Sequence, residues 1–221
     1  MTFKYLLAMC MASAAGCAFH AHAGASLIID DATITPPGRC QVEAWARAHT
    51  SGPELTAVPA CTVASTEFSV GLTHSESPPV GPPVEFGAKH VFRNVDQHVW
   101  GIGASAGVIW NGARDHHEGW HVTLPTSYAP QAWRHTVLHA NLGWSRPRDA
   151  AGALTGGVGL EQTLAHQWTL LAETYGHHRS EVAGQLGLRR PLDRDASLDL
   201  LLGHDGMGPW ITIGLNLLLP N

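Results

Sequence analysis

Apolar and polar residues alternate along many short segments of this chain, and residues 210–219 (WITIGLNLLL) show the pattern best. Every odd-numbered position in that segment is Ile or Leu, whereas the first four even-numbered positions are Trp, Thr, Gly and Asn. A period of two places successive side chains on opposite faces of a β-strand. The segment is therefore predicted to be a strand with one apolar face and one polar face.

The same alternation, interrupted by turn residues, predicts twelve strands. They cover residues 39–48, 54–62, 67–74, 83–92, 97–110, 118–128, 132–145, 152–164, 166–176, 180–190, 195–203 and 209–219. Tight connections at 93–96, 129–131, 164–166 and 191–194 alternate with longer ones at 75–82, 111–118, 145–152, 177–180 and 203–209. This organisation is typical of an all-β, antiparallel transmembrane β-barrel with both termini in the periplasm. Ten or eight strands remain alternatives if the first hairpin lies outside the wall.

The two faces of the predicted strands differ in chemistry. Residues predicted to face lipid are Phe68, Val70, Leu72, Trp100, Ile102, Val108, Trp110, Leu138, Leu142, Trp144, Trp168, Leu170, Val182, Leu186, Leu188, Leu198, Leu200 and Leu202. Residues predicted to line the lumen are Glu67, Glu85, Lys89, His135, His139, Asn141, Glu161, Glu173, Glu181, Gln185, Arg189 and Asp199. Four of these charges fall on neighbouring strands, where they either hold a small solute or form ion pairs that fill a narrow barrel.

The N-terminus has the features of a secretory signal peptide covering residues 1–23. Lys4 precedes the apolar stretch 5–18, and Ala21-His22-Ala23 forms a small-residue cleavage site before Gly24. Cys17 follows a poor lipobox, which leaves processing as a lipoprotein as an alternative. Residues 24–38 show no strand pattern and are predicted to be a periplasmic lead or a plug of the lumen, followed by the barrel over 39–221. No later segment approaches the ~18 consecutive apolar residues of a membrane helix.

Composition agrees with a barrel in lipid. Only 14% of residues are charged while 44% are hydrophobic, and the chain contains 24 Gly. The formal net charge of −5 gives no reason to expect a nucleic-acid partner.

Two cysteines remain after removal of the signal peptide, Cys40 and Cys61. If strands 39–48 and 53–62 form a hairpin about residues 49–52, Cys40 opposes Cys61 whenever Ala48 opposes Pro53. Opposed residues on antiparallel strands can reach disulfide distances, and an exported chain enters an oxidising compartment. A disulfide that acts as a structural cross-link is predicted.

No motif for catalysis or cofactor binding is found, so the protein is not expected to be an enzyme. Ser105 is flanked by strand residues and not by a nucleophile elbow, and the Gly-rich stretches lack a following helix. Weak candidates for a metal site on the predicted external loops are His116, His117, His177 and His178. No HExxH spacing accompanies them, so solvated loop residues are the preferred interpretation, with no metal and no cofactor.

Several segments carry a resemblance to a known family. They read IIDDATITPPGRCQVEAWAR from residue 28, HANLGWSR from 139, GVGLEQTL from 157, AETYG from 172 and QLGLRR from 185. In these segments the chain resembles the outer-membrane barrel family named after the phenol meta-cleavage pathway, with similarity from Leu27 to Leu219. Members of that family are described as channels or transporters. The chain ends in Leu-Pro-Asn, which departs from the terminal aromatic residue of many such barrels.

The resemblance implies a channel or transporter for small, aromatic or apolar molecules in the outer membrane of a Gram-negative bacterium. The partners expected are outer-membrane lipid, a small-molecule solute and the barrel-assembly machinery, with the oligomeric state left open. Two other classes remain: a structural or surface-interaction barrel with a plugged lumen, and a soluble periplasmic β-sandwich that binds a ligand.

Overall fold

The computed structural model of the protein describes residues 26–75, 82–113, 115–133, 135–178 and 182–220. Within these ranges the chain forms twelve β-strands. They are β1 Cys40–His49, β2 Gly52–Val63, β3 Thr66–Ser75, β4 Pro83–Arg93, β5 Trp100–Asn111, β6 His116–Tyr128, β7 Thr136–Pro147, β8 Ala153–Thr163, β9 Thr169–His177, β10 Ala183–Pro191, β11 Ala196–Asp205 and β12 Gly208–Leu218. A 3-10 turn, Ala165–Gln167, precedes β9. Within the same ranges, no helix has the length and apolar character needed to cross a membrane.

The sheet closes on itself. Each strand pairs antiparallel with the next, and β1 pairs with β12 from Gln41 opposite Leu218 to His49 opposite Trp210. The prediction of a twelve-stranded antiparallel barrel is therefore confirmed, and the alternatives of ten or eight strands are wrong. The soluble β-sandwich is also wrong, because two packed sheets would leave unpaired edge strands.

Strand bounds differ most from the prediction at β7, and β5, β9 and β10 each begin three residues later than predicted. β7 begins at Thr136 and not at residue 132, because Trp133 N–H donates to the Pro130 carbonyl and Thr136 N–H donates to that of Trp133. His135 has a φ of 71° in this turn. β9 begins at Thr169 because the 3-10 turn takes up residues 165–167.

The predicted alternation of tight turns and long loops is wrong. Residues 129–135 connect β6 to β7 at the end of the barrel that carries the termini of the wall, whereas only residues 206–207 connect β11 to β12 at the other end. Two of the predicted loops, at 111–118 and 203–209, are shorter than expected because their His and Asp residues continue the ladders. His116 pairs with Asn111, and Asp205 pairs with Gly208.

The outer face of the wall is apolar. None of the side chains predicted to face lipid is buried, all of them lying in the described ranges. Phe68, Leu142 and Leu202 are 54%, 56% and 63% exposed. Such a continuous apolar surface is far larger than the patches that water-soluble monomers expose.

Cys40 and Cys61 oppose each other in the β1–β2 ladder and form a disulfide. The register is the one expected from the hairpin, with Ala48 opposite Pro53. The predicted disulfide is therefore confirmed.

Residues 26–35, here called the inner segment, precede β1 and lie inside the barrel. Ala32, Thr33 and Thr35 are at most 2% exposed. The segment bonds to inward side chains from β3 to β11, and only an interior position reaches both sides of a closed wall. A turn with Gly38 N–H donating to the Thr62 carbonyl then leads into β1.

Candidate functional site: the barrel lumen

Six side chains predicted to line the lumen lie inside the wall and are largely buried. They are His139 on β7, Glu161 on β8, Glu173 on β9, Gln185 and Arg189 on β10 and Asp199 on β11, each at most 7% exposed. Their common parity in neighbouring antiparallel strands places them on one face of the sheet. Together they form the polar side of the lumen that contacts the inner segment.

Arg189 is the centre of an ion network. It lies opposite Asp199 in the β10–β11 ladder, and its Nε and Nη2 atoms donate to the two carboxylate oxygens of Asp199 at 2.7 and 2.9 Å. Its Nη1 atom lies 3.5 Å from Glu161 Oε1, and His139 Nε2 is 4.0 Å from the same oxygen. A bidentate guanidinium–carboxylate pair combines charge with fixed geometry. The network therefore links four strands of the wall, β7, β8, β10 and β11.

Glu173 binds the backbone of the inner segment. Its carboxylate accepts hydrogen bonds from Ile28 N–H at 2.9 Å and from Ile29 N–H at 2.9 Å. Gln185 Nε2 donates to Glu173 Oε1 at 2.8 Å, and Trp210 Nε1 donates to Gln185 Oε1 at 3.2 Å. The N–H groups of Ile28 and Ile29 have no partner in a strand, and the single carboxylate of Glu173 accepts hydrogen bonds from both.

Polar side chains of β6 and β7 bind the middle of the segment. Asn141 accepts from Asp30 N–H at 2.8 Å and donates to the Asp30 carbonyl at 2.7 Å. Ser127 Oγ accepts from Ala32 N–H at 2.8 Å and lies 2.8 Å from His139 Nδ1. These side-chain hydrogen bonds satisfy backbone groups of the inner segment that would be paired with a neighbouring strand if the segment were part of a sheet.

The opposite side of the wall holds the segment by charge. Lys89 Nζ on β4 lies 2.6 Å from Asp30 Oδ1 and 3.0 Å from Asp31 Oδ1. Glu67 Oε2 on β3 accepts from Thr35 N–H at 2.9 Å. Because these anchors face those from β6 to β11, the inner segment crosses the lumen and is fixed on both sides.

The part of the lumen beside β1 to β6 contains open space. Two cavities of about 190 and 260 Å³ share four lining residues: Asp30, Glu43, Ser105 and His121. The smaller cavity also contacts Thr35, Glu67 and Glu85, and the larger one contacts Trp45. We call the two together the acidic chamber.

Negative charge in the acidic chamber exceeds positive charge. Among the described residues, no Lys or Arg nitrogen lies within 4.0 Å of the carboxylates of Glu43, Glu67 or Glu85. His121 Nε2 is 3.6 Å from Glu85 Oε1, and Lys89 pairs with two carboxylates of the inner segment. The chamber is therefore a region of negative potential inside the barrel.

Other predicted site residues are not brought together. His135 is predicted to line the lumen, but it lies in the turn before β7 with an exposed side chain. Its lumen placement is wrong because the turn ends only at Thr136. Lys89 lies across the lumen from Arg189 and belongs to the acidic chamber. Glu181 and the predicted signal peptide, including Cys17, lie outside the described residues.

The four candidate metal ligands lie at strand ends. His116 and His117 begin β6, His177 ends β9, and His178 follows it. His116 Nδ1 is 3.9 Å from Glu118 Oε1. Within the described residues no three His, Cys, Asp or Glu side chains are placed to hold a metal ion.

Sequence reasoning missed Glu43 and Trp45, two of the residues that line the acidic chamber. A signal for them exists in residues 41–47, where Gln, Glu, Trp and Arg alternate with Val and Ala. That alternation places the polar positions of β1 inward, in the same way as the strands that were assigned. Thr35 carried no signal, since the inner segment has no period.

Comparison with known proteins gives the family. The sequence model of the family described as "Uncharacterised conserved protein UCP029691" matches residues 9–219. The chain belongs to this family. That description does not mention phenol meta-cleavage, and this part of the expectation stays a prediction. No curated protein matches the chain in sequence.

Solved structures with the same fold are outer-membrane channels. The KdgM porin has a TM-score of 0.66 at 11% identity, over 80% of this chain and 98% of that one. The NanC porin has a TM-score of 0.61 at 8% identity, over 81% and 100%. The COG4313 outer membrane channel from Pseudomonas putida F1 has a TM-score of 0.58 at 10% identity, over 86% and 98%. At these identities the similarity establishes the fold alone.

Proposed function

We propose that this protein is an outer-membrane channel for small molecules whose lumen is narrowed by its own inner segment. The observation that carries the proposal is the path of residues 26–35, which cross the lumen and bind its walls on both sides. Glu173 and Asn141 hold the segment from one side and Lys89 from the other. A conduit between two compartments needs such a lumen, and its size is set by what fills it.

Placement in a membrane is supported by the wall itself. Closure through the β1–β12 ladder satisfies the backbone groups that an open edge would expose to lipid. The apolar outer face, with residues such as Leu142 and Leu202 more than half exposed, matches hydrocarbon and not water. The predicted signal peptide over residues 1–23 would export the chain, and the fold is shared with outer-membrane porins.

The open volume restricts the solutes. Cavities of about 190 and 260 Å³ admit small molecules, and anything larger requires the inner segment to move. The apolar or aromatic solutes that the sequence resemblance implies do not match the lining of this space. The chamber is lined by carboxylates such as Glu43 and Glu85, which favour polar solutes.

A reversible cross-link tests the proposal. A Cβ atom built on Gly159 of β8 would lie 3.4 Å from Ile29 Cβ, close to the 3.5–4.5 Å typical of disulfides. The double variant Ile29→Cys/Gly159→Cys should therefore fix the inner segment when oxidised. In planar bilayers we expect low conductance in the oxidised state and higher conductance after reduction, because only the reduced segment can leave the lumen.

Controls separate the engineered cross-link from the native one. The wild-type protein and the single variant Gly159→Cys receive the same reductant, since Cys40–Cys61 can also be reduced. Their conductance should not respond. A variant that lacks residues 26–35 should conduct more than the wild type. Equal conductance of the oxidised and reduced double variant, with no gain on deletion, would refute the proposal.

A structural barrel without transport is the second candidate. It is favoured by the buried Arg189–Asp199–Glu161 network, which fills the lumen in the way that a closed barrel would. The deletion variant distinguishes the two functions. A folded barrel that lacks residues 26–35 and still does not conduct would support the structural role.

A further inference from the structure

We propose that the acidic chamber binds a small organic cation, with one or two ammonium groups. The inference rests on the proposed function only for the chamber's position in a conducting path, and binding itself does not require conduction. It names the chemical class of the solute. It also departs from the KdgM porin, whose structure has been solved in complex with oligogalacturonate, a polyanion.

The charges of the chamber provide the first argument. Glu43, Glu67 and Glu85 project from β1, β3 and β4, and no Lys or Arg of the described residues lies within 4.0 Å of them. Lys89 is held by Asp30 and Asp31, so its single charge is already opposed by two carboxylates. Carboxylates gathered in one cleft of the lumen focus their negative potential there and attract a mobile cation.

An unsatisfied hydroxyl provides the second, independent argument. Thr35 is 1% exposed and lines the chamber, and its Oγ1 has no hydrogen-bond partner among the residues that the structure describes. Leaving a buried hydroxyl oxygen without a partner destabilises the fold, and a bound hydrogen-bond donor would remove that penalty. Glu67 lies beside it and binds the Thr35 N–H. An ammonium group has three N–H donors, so it can donate hydrogen bonds to both Thr35 Oγ1 and the Glu67 carboxylate.

The geometry favours an organic cation over a metal ion. No three side chains in the described ranges are placed to coordinate a metal. The cavities of about 190 and 260 Å³ are much larger than a bare ion, and the ring of Trp45 lines the larger one. Aromatic rings attract ammonium groups through their faces. The carboxylates of Glu67 and Glu85 line the smaller cavity, and the indole of Trp45 lines the larger one. This arrangement fits an aliphatic chain that carries an ammonium group at its end.

Three four-carbon molecules that differ in charge test the proposal: putrescine, 1,4-butanediol and succinate. Titration calorimetry on the folded, detergent-solubilised protein at pH 7.5 should show binding of putrescine alone. Glu43→Gln keeps the size of the side chain and removes its charge, and it should weaken putrescine binding at least tenfold. The matched control is Asp149→Asn, because the Asp149 side chain is 91% exposed in a loop and should have no effect.

The outcomes separate this inference from the channel proposal. Putrescine binding that is lost in Glu43→Gln supports the inference even if no variant conducts. Binding of succinate, binding of none of the three, or equal putrescine binding by wild type and Glu43→Gln would overturn it. Folding of each variant is checked by the boiling-dependent shift on cold SDS gels. If Glu43→Gln does not fold, Glu85→Gln replaces it, and the wild-type comparison of the three molecules still decides.

Discussion

Replacing Arg189 by Met should strongly destabilise the barrel. The guanidinium donates two hydrogen bonds to Asp199, at 2.7 and 2.9 Å, and is the cation nearest to Glu161. Asp199 is 0% exposed and Glu161 is 2% exposed. Met fills a similar volume but leaves two buried carboxylates without a counter-charge.

The expected cost follows from these contacts. Removing one partner of a buried ion pair costs about 3–5 kcal/mol, mainly because the remaining charge stays buried. Arg189→Met should therefore lower the free energy of unfolding by about that amount. Arg190→Met is the matched control, because Arg190 is exposed and its closest aromatic contact, the ring of Trp168, lies 5.1 Å away. Its loss should cost less than about 1 kcal/mol.

Urea unfolding of the protein in lipid vesicles, followed by tryptophan fluorescence and by the gel shift, measures both values. The double variant Arg189→Met/Asp199→Asn should recover part of the loss, since the uncompensated charge is removed together with its partner. A change of less than about 0.5 kcal/mol in Arg189→Met would refute the reasoning. So would a double variant whose loss equals the sum of the two single losses.

Three further changes test the wall in the same unfolding assay. Leu142→Arg, on the outer face, should cost about 2–4 kcal/mol in lipid, and an unaffected variant would place Leu142 outside the hydrocarbon. Cys40→Ser should cost about 3 kcal/mol through the entropy of the released loop; identical urea midpoints with and without the disulfide would contradict this. Gly101→Ala should cost about 1–3 kcal/mol, because its Cβ would lie within 3 Å of backbone atoms of the preceding turn. Gly112→Ala meets nothing within 4 Å and should be neutral, so equal losses in both glycine variants would exclude crowding as the cause.

The wall was predictable because each strand carries its own two-residue period. β12 runs over Gly208–Leu218, one residue from the predicted 209–219, and the Cys40–Cys61 register followed from one hairpin. An antiparallel meander pairs neighbours in the chain, so local pattern and turn positions determine the topology. The apolar outward faces gave the second constraint.

The path of the inner segment could not be predicted from periodicity. Its backbone groups are satisfied by side chains, for example Ile28 and Ile29 by Glu173, so no alternation is imposed on residues 26–35. The lengths of the connections between strands could not be predicted for a related reason. His116 and Asp205 have turn-like or polar character but remain in the ladders, since residues at the rim of a barrel can pair without a buried face.

The two sides of the lumen have different physical tasks, and the proposed experiments act on them separately. On the side of β7 to β11, Arg189 compensates buried carboxylates, and the inner segment is packed against the wall. On the side of β1 to β6, Glu43 and Glu85 have no such compensation, and open volume remains. Loss of an anchor such as Asn141 should therefore change how readily the inner segment leaves the lumen. It should have little effect on whether the acidic chamber prefers cations or anions. Neutralising Glu43 should do the reverse, because it changes the potential of the chamber and breaks no bond to the segment.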